Sequence, residues 1–172
     1  MVGANERCVV IAGGGLAFDR DGEIVEVSPA REAAISAVAR HVVEHGGVAL
    51  VIDYGHARSA AGDTLQAVRG HEHAPVLHDP GEQDLTAHVD LEAVGRAASD
   101  AGAAVSGVIG QGEWLNRLGI GARAAALAGS NPKRADELAS AVQRLTARAE
   151  MGTLFKAIAI HSPDWPTPAG FE

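Results

Sequence analysis

Residues 48–56 read VALVIDYGH. The run opens with five apolar residues, and Val48, Val51 and Ile52 among them are β-branched. A short, continuous, β-branched run suits a strand buried on both faces of a parallel sheet. It stops abruptly on a carboxylate, a phenol, a glycine and an imidazole: Asp53, Tyr54, Gly55 and His56. In open α/β sheets ligands sit beyond the carboxyl ends of the strands. This stretch therefore delivers Asp53 to the binding edge, and Gly55 is expected to let the backbone turn sharply there. Asp53 either accepts hydrogen bonds from a cationic substrate or holds a base in place; alternatively it caps the next turn.

Working outward, the upstream segment predicts a helix. Ser28 is an N-cap residue and Pro29 suits the first helical position. Ile35, Val38, Val42 and Val43 then recur at helical spacing, and Gly46-Gly47 end the helix. Before Ser28, "ERCVVIA", "GLAFDR" and "DRDGEIVEV" predict short hairpin strands around Gly13–Gly15 and Asp21-Gly22. The triple glycine lacks G-x-G-x-x-G spacing and reads as a hairpin turn. Downstream, residues 54–90 form a long polar connection with one short element at "TLQAVR". Asp90 caps a helix from Leu91 to Ala101 that Gly102 closes. "AAVSGVI" predicts a strand, "GEWLNRLGI" and "ARAAALA" short helices, and Asn131-Pro132 a longer helix to about Ala149. "TLFKAIAI" is a final strand, followed by the irregular, proline-rich "HSPDWPTPAGFE". Helices alternating with buried strands mean an open α/β sheet.

The chain has 172 residues, 47% hydrophobic but only 3% aromatic. That is one domain with a real core, and its alanine- and glycine-rich composition favours helices packed tightly on a sheet. A net charge of −8 disfavours nucleic acid or an anionic membrane as a partner and permits a basic protein substrate. The single cysteine, Cys8, excludes an internal disulfide and suits a reducing compartment. No apolar run approaches the roughly 20 residues needed to span a bilayer. "MVGANERC" has no signal-peptide core, so a cytoplasmic protein is expected.

Five of the eight histidines lie between His56 and His88. In "RGHEHAPVLHD", residues 69–79, His71, His73, His78 and Asp79 are metal-type ligands. The His-x-x-x-His spacing of a helical zinc site and any Cys pair are missing, so a solvated loop without metal is expected. The contrary reading is a metal-dependent hydrolase built on this loop. In "PGEQDLTAHVD", residues 80–90, an extended chain puts Asp84, Thr86, His88 and Asp90 on one face. Such a face suits a metal or a guanidinium; equally, Asp90 caps a helix and His88 with Asp84 is a local structural pair.

"GGVALVIDYGH", "DTLQAVRGH", "PGEQDLTAHVD", "QGEWLNRLGIGARAAAL" and "MGTLFKAIAI" together resemble the C-terminal half of the MidA-like S-adenosylmethionine-dependent methyltransferases, from about Glu6 to Phe171 and in the family's order. Mitochondrial relatives assist respiratory complex I assembly and are described as arginine methyltransferases. The resemblance implies a partial domain over 1–172, the downstream half of a Rossmann-like methyltransferase sheet. It has about three main strands with flanking helices, a hairpin insertion over 1–27 and an irregular tail over 161–172. It also implies that the last strand inserts antiparallel between "VALVID" and "AAVSGVI". The family's donor-binding glycine turn and ribose-holding acid belong to the other half and are not in this sequence, so no cofactor-binding residue carries over. The implied chemistry is S-adenosylmethionine-dependent methylation of a protein arginine. Asp53 and His56 are the catalytic candidates, and Asp84, Thr86 and His88 would contact substrate. A truncated, split or mis-started gene is expected, with an N-terminal counterpart or a second copy as partner. The alternative is a non-catalytic assembly module.

Overall fold

A computed structural model describes residues 8–10, 24–79 and 81–172. The expected turns at Gly13–Gly15 and Asp21-Gly22, and Pro80, lie outside the described residues. β1 (Cys8–Val10) pairs antiparallel with β2 (Val25–Val27), joining the first and third of the expected short strands; the second, "GLAFDR", lies outside the described residues.

α1 (Pro29–His45) starts at the anticipated Ser28-Pro29 and stops at Gly46 and Gly47, with φ of 77° and 130°. Ser28 occupies the N-cap position, but its side chain makes no capping bond. β3 (Val48–His56) follows. The connection anticipated as largely unstructured instead forms a small antiparallel sheet, β5–β4–β6, from β4 (Gln66–Arg69), β5 (Glu72–Ala74) and β6 (Asp84–Thr86). Its hairpin turns at Gly70 and His71, both at positive φ, as a tight two-residue hairpin demands.

β7 (Val89–Asp90) leads directly into α2 (Leu91–Asp100), whose amide of Ala93 donates to Asp90 Oδ1 at 3.0 Å. The strand anticipated over "AAVSGVI" is two pieces, β8 (Ala104–Val105) and β9 (Ile109–Gly110). Between them the Ser106 hydroxyl accepts the amide of Ala159 at 2.8 Å, standing in for a ladder bond. Then come α3 (Gln111–Arg117), α4 (Ile120–Ser130), a 3₁₀ turn (Pro132–Arg134), α5 (Ala135–Thr146), α6 (Met151–Leu154) and β10 (Phe155–His161).

The main sheet runs β7–β3–β10–β8, with β9 also on β10. β10 lies antiparallel between β3 and β8/β9, the arrangement expected from the family resemblance. α1 and α2 cover one face. Ala39, Leu91, Val94, Ala98, Ile158 and Ile160 form the core there, with Ala49 and Val51 of β3 packed against it. Each large side chain buried in this way contributes about 1.5–3 kcal/mol. β3 is not buried on both faces, contrary to the expectation from its apolar run: Val48, Leu50 and Ile52, on the face away from α1 and α2, are 45%, 44% and 39% exposed. The apolar character is real, but the face of β3 away from α1 and α2 is left partly open.

Candidate functional site

The carboxyl end of β3 gathers the chemistry. Gly55 does not bend the chain, since β3 continues through it to His56. Its role is close approach: a Cβ there would lie 2.1 Å from the Val89 carbonyl oxygen of the paired β7. That pairing holds His56 beside Asp90.

Side chains alternate across a strand, so Asp53 and His56 lie on opposite faces of β3. Asp53 is half-buried, sits opposite Lys156 in the β3–β10 register, and accepts the amide of Tyr54 at 2.8 Å through Oδ1. Burial holds the Lys156 amine below its ordinary range. The Lys156 ammonium donates to the Thr153 carbonyl. On the other face, the Tyr54 ring meets His88 edge-on at 5.9 Å and Phe155 at 5.7 Å, and His56 stands 6.5 Å from His88. His56 and His88 are therefore together. Asp84 and Thr86 are on β6 of the small sheet, opposite Val68 and Gln66. The single extended face expected for residues 84–90 is broken at Ala87-His88, where the chain passes from one sheet to the other. His71, His73 and His78 are exposed, and Arg69 and His78 lie 2.8 and 3.4 Å from Asp79.

His56 and His88 line a hollow of ≈ 100 Å³ with Glu26, Ser28, Arg31, Thr64 and Asp90. Its walls are stapled together. Thr64 donates its amide to Glu26 Oε1 at 3.1 Å and its hydroxyl to Glu26 Oε2, and the same hydroxyl accepts the amide of His88 at 3.0 Å. The Ser59 hydroxyl donates to Asp90 Oδ2 at 2.6 Å, and the Ser59 amide to Glu92 at 2.8 Å. The bonds from Ser59, its amide first, hold the Glu92 carboxyl below its ordinary range. Sequence reasoning did not single out Glu26, Arg31, Ser59 or Thr64 for this site. Their signal is tertiary: the β2–α1 junction and the 59–64 loop meet the end of β3 only once folded. Ser28 was visible as a helix start, though not as a wall of this hollow.

A second, wider basin of ≈ 790 Å³ lies between α3, α6 and the start of β10, lined by Glu113, Asn116, Arg117, Arg148 and Lys156 with several glycines. S-adenosylmethionine needs a carboxylate for its ribose hydroxyls and backbone donors at an open glycine turn. The basin's one carboxylate, Glu113, is paired with Arg117, and Gly112 and Gly152 are pressed against the backbone at Thr146. The ≈ 100 Å³ hollow is too small for a nucleoside. Neither of these two hollows composes a donor site.

Residues 9–109 match the family described as "Putative S-adenosyl-L-methionine-dependent methyltransferase". Protein arginine methyltransferase NDUFAF7, mitochondrial, of Xenopus tropicalis is 37% identical over 105 residues, 61% of this chain and 24% of that relative. The Drosophila melanogaster homolog is 35% identical over 138 residues, 79% of this chain and 31% of the relative. A Burkholderia thailandensis crystal structure bound to S-adenosyl-homocysteine aligns with a TM-score of 0.72 at 31% identity, covering 89% of this chain and 39% of that one. The chain spans well under half the length of the relatives it matches.

Proposed function

Because the chain belongs to the S-adenosyl-L-methionine-dependent methyltransferase family, we propose that it forms the acceptor side of a protein arginine N-methyltransferase. The observation that carries this reading is the match to relatives named protein arginine methyltransferases, beside a family match over residues 9–109, a span that holds the end of β3 and the DLTAHVD stretch. The methyl donor supplies the electrophilic methyl group; the described residues supply groups for the nucleophile. Asp53 has one carboxylate oxygen not taken by the Tyr54 amide, and it orients the guanidinium. Asp53 also accepts the proton that the attacking nitrogen releases; His56 and His88, at the same strand end but on the other face of β3, contact the chain that carries the arginine. Asp84 and Thr86 contact the polypeptide from β6. The donor is held by a segment corresponding to the remainder of the relatives.

The test joins the chain with that segment and follows label from methyl-tritiated S-adenosylmethionine into an arginine-containing protein. Asp53→Asn is expected to lose roughly 10²-fold or more in rate while keeping its fold. An unaltered rate removes Asp53 from the site, and label on a residue other than arginine overturns the acceptor.

A further inference from the structure

We propose that the basin between α3, α6 and the start of β10 is a subsite for the acceptor polypeptide, and that it takes the carboxylate of an aspartate or glutamate a few residues from the methylated arginine; this rests on the reading above that the acceptor is a polypeptide.

The charges on the basin wall do not balance. Arg117, Arg148 and Lys156 line it against the single carboxylate of Glu113. Arg117 is committed: it pairs with Glu113 and donates to the main-chain oxygens of Gly170 and Glu172 at 3.3 and 3.0 Å. Arg148 and Lys156 remain. Arg148 is exposed and makes no ion pair among the described residues. Glu150, two positions along, does not line the basin and makes no ion pair there either. Lys156 donates only to main-chain carbonyls, those of Thr153 and Leu154. Asp53 stands opposite it in the strand register, yet the two form no ion pair among the described residues. Burial with no carboxylate to offset it holds the Lys156 amine below its ordinary range, a cost that a bound anion relieves. The Thr146 and Thr153 hydroxyls on the wall are spent on the carbonyls of Val142 and Arg148. What the basin has left to offer is positive charge.

The kind of anion follows from the charge of the whole chain. At −8 it repels an extended polyanion such as nucleic acid. Two unpaired cations in a basin of ≈ 790 Å³ suit one side-chain carboxylate, with room for the backbone that carries it. A planar carboxylate also fits the fork of Arg148 with two parallel bonds. The reach follows from the strand register. Residues directly opposite on an antiparallel pair share a face, with Cβ atoms about 4.5–5.5 Å apart. Lys156 therefore joins the basin to Asp53, where the guanidinium is oriented. An extended polypeptide advances about 3.3 Å per residue. With its arginine at Asp53, a residue a few positions away lies over the basin.

The test is equilibrium dialysis of the 172-residue chain against arginine-containing peptides, identical except for Glu, Gln or Lys at each position within a few residues of the arginine. Dialysis reads binding whatever the oligomeric state. At low salt the Glu peptide is expected to bind roughly fivefold more tightly than the Gln peptide, and added salt should shrink the difference. Arg148→Gln combined with Lys156→Gln should bring the two within about twofold. Arg148→Lys, which keeps the charge, should retain most of the preference, and circular dichroism reports the fold of each variant. Glu113→Gln, at an exposed residue, removes the one carboxylate of the wall and should widen the preference about twofold. Arg31→Gln, in the other hollow, should leave it intact. Equal binding of Glu and Gln at every position, tighter binding of Lys, or no binding of any peptide at millimolar concentration overturns the subsite. So does full preference in the folded double variant, a preference unchanged or narrowed in Glu113→Gln, or one lost in Arg31→Gln. Displacement of the Glu peptide by inorganic phosphate at the peptide's own concentration overturns the polypeptide as the source of the anion. Dialysis involves no methyl donor, so the two readings fail separately. Methyl transfer to arginine without this preference sinks the subsite alone, whereas label on another residue sinks the acceptor reading.

Discussion

Gly55 carries the tightest constraint on any single side chain near the site. Its φ is ordinary; the restriction is that the Val89 backbone occupies the place of a Cβ. Gly55→Ala must push β7 off β3 and is expected to cost about 3 kcal/mol, read as a lower urea midpoint with unchanged slope. Lys156 makes a pH prediction. Burial lowers its folded-state value below the ordinary 10.5, so the unfolded chain holds this proton more tightly than the folded one. The penalty is present at neutral pH and is relieved as pH rises through the window just below 10.5. Lys156→Met should raise neutral-pH stability modestly, because the side chain is partly exposed, and should flatten the alkaline rise seen in melts across that window.

Asp90 is where a strand end, a helix start and a loop are joined. It caps α2 through Oδ1 and fixes the 59–64 loop through Oδ2. Asp90→Ala should cost about 1 kcal/mol for the cap and free the loop, visible as faster amide exchange at Ser59 and Ala93. Elements of this kind were legible in the sequence, because their signals are local: Asp90 before an amphipathic run, Pro29 and Gly46-Gly47 bracketing α1. The order β3–β10–β8 came from the family resemblance, since strand order is long-range. Of the small sheet over 66–86 only β4, inside the anticipated "TLQAVR" element, was legible. Its strands are three or four residues long and polar, and only the backbone at Gly70-His71 marks the hairpin. The site was legible in part. Asp53 and His56 announce themselves at the end of an apolar run, whereas Glu26, Ser59 and Thr64 act only through contacts distant in sequence. Reading the 48–52 run as doubly buried failed because hydrophobicity reports a tendency to be covered and cannot report what covers it.

At the scale of the molecule, that uncovered face has a consequence. Val48, Leu50 and Ile52 form an exposed apolar row on β3, whose outer edge is paired, among the described residues, with β7 only at Gly55 and His56. An apolar face beside an open edge invites pairing. The chain alone is expected to sediment as an oligomer or aggregate, and Leu50→Lys with Ile52→Lys should shift it toward monomer. Sedimentation of an unmodified, monodisperse monomer would contradict this. The placement of β10 also imposes an order in time. The strand that joins β3 to β8 and β9 is residues 155–161, which leave the ribosome after α1 through α6. Until then the flanking strands have no common neighbour, and the Ile158 and Ile160 side chains on which α1 and α2 close are missing. The nascent chain therefore stays open, with its apolar row accessible to chaperones, and folding completes in one late, long-range step.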